Sequence, residues 1–203
     1  NTKHLSSMYY CRKKKLLLLI ILISNILVSQ TVKRGPYLQQ ATPNSIIIKW
    51  QTNTATNTKV NFGTIQTNLN LSATNTVSTT NHEIKLSGLL PYTKYFYTIG
   101  STTSTLVAAA SDVYFRTMPN YGKKGDYRFW VVGDAGTGDN NQRDTRSAFI
   151  TYNNNRNIDG WIWLGDNSYN SGFDSEYQSN VFSNNTYENQ LKNTVVWPAA
   201  GNH

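Results

Sequence analysis

Cysteine is nearly absent: the 203-residue chain has one, Cys11. It precedes an apolar run, whereas a lipid-anchoring cysteine would follow one. Past that run there is none, so disulfides, cysteine metal sites and cysteine nucleophiles are excluded there. Histidine is also scarce, with only His4, His82 and His203. Acidic residues number 11 against 19 basic, and the first 29 residues hold no acid at all. Lys3, Arg12, Lys13, Lys14 and Lys15 fall in that stretch, leaving 14 basic against 11 acidic residues beyond it. Those remaining are scattered, not striped with aromatics, which argues against nucleic acid as a partner. A membrane-length apolar run is missing too. Leu16 to Ile23 is apolar, but Ser24 and Asn25 interrupt it, well short of the roughly 20 residues needed to span a bilayer. No internal repeat is present.

The basic Arg12-Lys-Lys-Lys15, the apolar run and the small Ser29 together have the layout of a secretory signal peptide over residues 1–29. Cleavage is expected near Ser29 or Gln30. The protein is therefore expected to be secreted or periplasmic, without stable membrane association after cleavage. With 38% hydrophobic and 12% aromatic residues, the chain has enough apolar material for a packed core.

Residues 33–118 read as all-β. Ser45–Trp50, Lys59–Phe62, His82–Leu86, Lys94–Ile99 and Asp112–Arg116 are short β-branched or aromatic runs separated by Asn, Thr, Ser and Gly clusters. Strands of this spacing predict a β-sandwich. Leu89-Leu-Pro91-Tyr-Thr93-Lys-Tyr95-Phe-Tyr97 resembles the tyrosine corner of fibronectin type III domains, in which a buried Tyr bonds back to the backbone. His82 is read as a surface histidine and not a ligand.

Met118 to Gly125 is a linker containing Pro and Gly, and the rhythm changes after it. Over residues 126–203 the apolar strands Tyr127–Val132, Asp159–Leu164 and Thr194–Trp197 alternate with helical patterns over Asn141–Asn154 and the start of Phe173–Asn185. That alternation predicts an α/β unit with a mostly parallel sheet.

Each of the three apolar strands ends in a glycine-bearing polar motif: Gly133-Asp134-Ala-Gly136, Gly165-Asp166-Asn-Ser-Tyr169 and Gly201-Asn202-His203. Ligand sites in open α/β sheets form beyond the C-terminal ends of the strands, so the three motifs should share one crevice. Taken singly, a Gly-Asp after a strand is ordinarily a turn or a helix N-cap, and a lone Tyr ordinarily packs. In series they supply carboxylate, phenol, amide and imidazole groups, the donors that suit hard metal ions. Asp166 could offer one oxygen to each of two ions, holding them about 3.5–4 Å apart.

The order GD-A-G, GDNSY, GNH is similar to the first three metal-site blocks of calcineurin-like metallophosphoesterases. The aromatic Tyr169, three residues after Asp166, and Arg34-Gly-Pro-Tyr-Leu-Gln39 at the opening of the sandwich make the purple acid phosphatases the branch that the chain resembles. The resemblance implies a fibronectin type III-like sandwich over 33–118, followed over 126–203 by the first part of an αββα metallophosphoesterase domain. It implies hydrolysis of phosphate monoesters by a binuclear centre of Fe(III) with a divalent Zn, Fe or Mn. Asp134 and Tyr169 would ligate Fe(III), Asp166 would bridge, and Asn202 would ligate the divalent ion. His203 would be catalytic, protonating the leaving group. The family continues past GNH with further histidine motifs. The chain is therefore expected to hold about half the ligands and, by itself, to turn over little substrate. The alternatives are a related metallophosphodiesterase or nucleotidase, and a non-catalytic fibronectin-like binding module.

Overall fold

The computed structural model describes residues 29–203. The signal peptide expected over residues 1–29 lies almost wholly outside them. No helix among the described residues is long and apolar enough to cross a membrane.

Six strands form one antiparallel hydrogen-bonded sheet: β1 (Val32–Gln39), β2 (Ser45–Gly63), β3 (Leu71–Ser87), β4 (Lys94–Gly100), β5 (Thr105–Val107) and β6 (Tyr114–Arg116). Two of them are long enough to turn a corner. The first part of β2 lies between β1 and the end of β3, with Tyr37 opposite Lys49 and Ile48 opposite Ile84. Its second part lies between the start of β3 and β4, with Val60 opposite both Ala73 and Ile99. The register slips between Gln51 and Thr58, as expected where bulges bend a strand. The runs Ser45–Trp50 and Lys59–Phe62, read in the sequence as separate strands, are thus the two arms of one bent strand.

The bend folds the sheet over itself, and both layers feed one core. Ile46, Ile48 and Trp50 alternate inward from one layer. Val60, Tyr95, Tyr97, Ile99 and Phe115 come from the other. Period-2 alternation with one buried face is what β-branched and aromatic residues favour. Each such side chain contributes about 1.5–3 kcal/mol by leaving water. Tyr95 stacks on Phe115 at 5.3 Å, and its hydroxyl accepts the Leu90 N–H at 3.0 Å. This is the bond back to the backbone that the Leu89–Tyr97 pattern predicts.

His82 is the correction: it is 1% exposed, not on the surface. It belongs to the inward series His82, Ile84, Leu86 of β3 and stacks on Trp50 with ring centroids 4.8 Å apart. Thr52 and Thr58 hydroxyls lie 2.9 and 2.8 Å from its two ring nitrogens. Burial is tolerated because both nitrogens are satisfied.

A second sheet is parallel and three-stranded, ordered β7 (Phe129–Val132), β8 (Gly160–Trp163), β9 (Val196–Pro198). Helix α1 (Asn140–Asn153) connects the first pair; α2 (Asp174–Asn180) and α3 (Glu188–Leu191) lie in the second connection. Asp139 starts α1 by accepting the Gln142 N–H at 3.0 Å, and Asn154 stops it in the left-handed conformation. Phe149, Trp130 and Trp161 form a continuous stack with centroid separations of 4.0 and 4.2 Å. On the opposite side of the sheet, Phe129, Val131 and Trp197 stay exposed, although parallel sheets are ordinarily covered on both faces.

The two sheets are tied together. The buried Tyr97 of β4 donates its hydroxyl to the Lys192 carbonyl at 2.7 Å, Val195 enters the sandwich core, and Lys192 pairs with Asp112.

Candidate metal centre

The three strand-end motifs meet at the C-terminal rim of the parallel sheet. Parallel pairing of β7 with β8 and β8 with β9 leaves all three strands ending on the same side. The Asp134 N–H donates to the Gly165 carbonyl at 3.2 Å, and the Tyr169 N–H to the Gly136 carbonyl at 2.9 Å. These bonds lash the first motif to the second.

Asp134 and Asp166 both hold positive φ, 52° and 50°. Non-glycine residues reach this region at a cost of order 1–3 kcal/mol, and such residues cluster at functional sites. The conformation aims both carboxylates at one point. The Tyr169 hydroxyl donates to Asp134 Oδ1 and, at 3.2 Å, to Asp166 Oδ2. The other Asp166 oxygen, Oδ1, accepts the backbone N–H groups of Asn202 at 2.8 Å and His203 at 3.2 Å. Gly201 makes this approach achievable: a Cβ there would sit 1.9 Å from Asp166 Oδ1.

The electrostatics follow from these contacts. Desolvation works to raise the Asp166 carboxyl, but the N–H groups of His203 and Asn202 and the Tyr169 hydroxyl outweigh it, so its pKa lies below the usual value. The hydrogen bond to Asp134, with desolvation and the bond to Asp166 adding to it, pushes the Tyr169 phenol well above its ordinary range. Three oxygens, two of them anionic, thus converge on one phenolic proton.

Asp134, Asp166, Tyr169, Asn202 and His203 are therefore neighbours, as the strand-end argument anticipates. Asn202 is exposed, and its backbone N–H makes the contact with Asp166. The His203 ring lies 5.0 Å from that of Tyr169, and its Nδ1 bonds the Asn170 carbonyl. A carbonyl only accepts, so Nδ1 carries the proton and Nε2 is left to exchange one. No three His, Cys, Asp or Glu side chains gather as a metal-holding group among the described residues; the cluster is two carboxylates and a phenol.

Residues that the sequence reading passed over hold this cluster in place. The Glu176 carboxylate accepts the N–H groups of Asn170 at 2.7 Å, Ser171 at 3.0 Å and Phe173 at 2.9 Å. Asn180 donates to the Tyr169 carbonyl at 2.8 Å. Tyr187 donates to the Ala135 carbonyl at 2.8 Å, and burial pushes its own phenol to about 12. One signal for Glu176 was available: it stands three residues into a helix whose N-cap N–H it accepts, as in a capping box.

A fold of this kind, a β-sandwich joined to a parallel sheet with an acidic rim, has recognisable relatives. Residues 35–117 match the family described as purple acid phosphatase, N-terminal domain. Among solved structures the chain is similar to PhoD, with a TM-score of 0.58 and 12% identity over 87% of this chain and 40% of that one. The likeness is one of fold, and the chain spans about two fifths of PhoD's length. A fibronectin type III domain of the human KIAA0970 protein aligns with 50% of this chain and 81% of its own at 11% identity, TM-score 0.34. The fn3 domain of the human collagen alpha-1(XX) chain aligns with 51% of this chain and 98% of its own at 20% identity, TM-score 0.34. No curated protein sequence matches the chain.

Proposed function

We propose that the chain carries part of the active site of a phosphate monoester hydrolase of the purple acid phosphatase type, exported from the cytoplasm. The observation that carries the reading is the convergence of the Asp134 and Asp166 carboxylates on the Tyr169 hydroxyl at the rim of the parallel sheet. The family match over residues 35–117 supports it independently.

The donor set fits a hard cation. Two carboxylates aimed at one point repel each other unless a positive charge lies between them, and the phenolic proton now fills that role. Asp134 and Tyr169 would hold Fe(III), Asp166 would bridge to a divalent ion, and Asn202 would complete the second ion's share from this chain. When bound, such ions neutralise charge on phosphoryl oxygens and activate water. The chain's own residues do the rest. The backbone N–H groups of Asn202 and His203 fix the orientation of Asp166. The Asn170 carbonyl holds the His203 imidazole through Nδ1–H, so a second proton taken up on Nε2 is the one the ring would pass to the departing alkoxide, returning it to the neutral form. Tyr169 must lose its proton to become a ligand, which is why its neighbours matter.

Fe(III) titration followed by visible absorption tests the assignment on this chain. A charge-transfer band is expected that disappears in Tyr169→Phe and weakens in Asp134→Asn and Asp166→Asn. A band that survives Tyr169→Phe would overturn the phenolate role. Hydrolysis of chromogenic mono- and diesters by the polypeptide of the full reading frame would settle the ester class.

A further inference from the structure

The loop that carries Tyr169 into the cluster is not self-supporting. Three consecutive-region amides, those of Asn170, Ser171 and Phe173, all end on the Glu176 carboxylate. Their N–H groups hold that carboxylate below its usual pKa, Phe173's foremost. The same loop packs on the third motif: a Cβ on Gly172 would lie 2.9 Å from the His203 carbonyl carbon, and the Asn170 carbonyl takes His203 Nδ1. Glu176 therefore sets the position of both Tyr169 and His203, provided that its own helix is fixed.

The helix is fixed from the other sheet. Arg34, in β1 of the sandwich, is 8% exposed and spends every guanidinium nitrogen on α2 at the two ends flanking Glu176. Its Nη1 reaches Asp174 Oδ1 at 2.8 Å, its Nη2 the Asp174 carbonyl at 3.1 Å, and its Nε the Gln178 Oε1 at 2.8 Å. Gln178 returns a bond to the Lys33 carbonyl at 3.0 Å. The Phe182 ring closes over the guanidinium, 4.8 Å from Cζ to centroid. A planar fork held at three points with an aromatic lid is a rigid mount, which a lysine could not reproduce.

We infer that Arg34 is a positioning residue: through α2 and Glu176 it makes the sandwich hold the Tyr169–His203 loop in register with Asp134 and Asp166. This gives the N-terminal sandwich a part in the chemistry without touching substrate. The link to catalysis rests on the function proposed above; the mechanical coupling does not.

Residue-resolved amide hydrogen exchange tests it on the intact chain. Arg34→Met should speed exchange at Asn170, Ser171 and Phe173 about tenfold or more while β2 and β4 keep their protection. Asp174→Asn, whose side chain is 80% exposed and whose loss leaves the arginine seated, should do the same to a smaller degree and guards against a misfolded Arg34 variant. Glu176→Gln should release the three amides, and adding Arg34→Met to it should release them no further, because the two act in series. Wild-type exchange at the three amides in both Arg34→Met and Asp174→Asn, or additive effects in the double variant, would overturn the inference. Fe(III) affinity, measured alongside, should fall in the variants in the same order. If no variant and not even the wild type binds Fe(III), yet the exchange pattern stands, the functional reading fails and the coupling survives.

Discussion

Acidification should loosen the sandwich through a single buried imidazole. The Thr52 hydroxyl donates to the Thr54 carbonyl at 2.8 Å, so toward His82 it can only accept. His82 Nε2 therefore carries the ring proton, and Nδ1 accepts from the Thr58 hydroxyl. A second proton on Nδ1 would face that hydroxyl's donor and would charge a ring stacked on Trp50 and shut off from water. Desolvation accordingly lowers the His82 pKa below its ordinary value near 6.5. The sign follows: the unfolded chain binds a proton that the folded chain refuses, so stability is full above pH of about 6.5 and declines as pH falls below it. One proton limits the slope to about 1.4 kcal/mol per pH unit, and the loss between pH 7 and 5 to about 2 kcal/mol. At a urea m-value of about 2 kcal/mol per molar, that lowers the midpoint by up to about 1 M. Asp112, Asp139, Asp174 and Glu176 have depressed pKa values; their stabilisation is lost only as pH falls below about 4, outside this window. The assay is urea unfolding at pH 7, 6 and 5 for the wild type and His82→Gln. The variant should begin less stable but fall less with pH; an equal fall in both would refute the reasoning.

Two further outcomes follow from contacts already described. Tyr97→Phe leaves the Lys192 carbonyl without its partner inside the contact between the sheets, and should cost about 1–3 kcal/mol in chemical denaturation. Gly201→Ala drives a methyl group into the Asp166 carboxylate, so the Gly201–His203 segment must move away; Fe(III) binding should weaken severely, while far-UV circular dichroism and the urea midpoint change little.

The strands of both sheets were legible wherever apolar residues run or alternate, as in Ile46–Ile48 and Trp161–Trp163. The three strand-end motifs were legible because each couples a glycine to an acid or amide, directly after such a run at Gly133 and Gly165 and a few residues beyond it at Gly201. Other features were hidden for identifiable reasons. Strand β1 contains Gly35 and Pro36, which read as turn chemistry, yet it lies at the margin of its layer, where a missing N–H is tolerated. The segment Asn53–Asn57 reads as a turn and is a bulged corner, since both use the same small polar residues. His82 looked exposed between Asn81 and Glu83; the two-residue spacing to Ile84 and Leu86 was the better guide. Arg34 could not be found by local pattern, because its partners lie in another element, and the place of Glu176 near a helix start says nothing of the loop amides it also collects.

The bent strands β2 and β3 have a consequence for how the sandwich is made. They are adjacent in sequence, joined by a short turn, and run together through both layers. Pairing along this one hairpin builds part of both layers from strands adjacent in sequence, which keeps much of the sandwich local in contact order. Once paired, the layers are splinted: neither can slide over the other without tearing the ladder that passes around the corner.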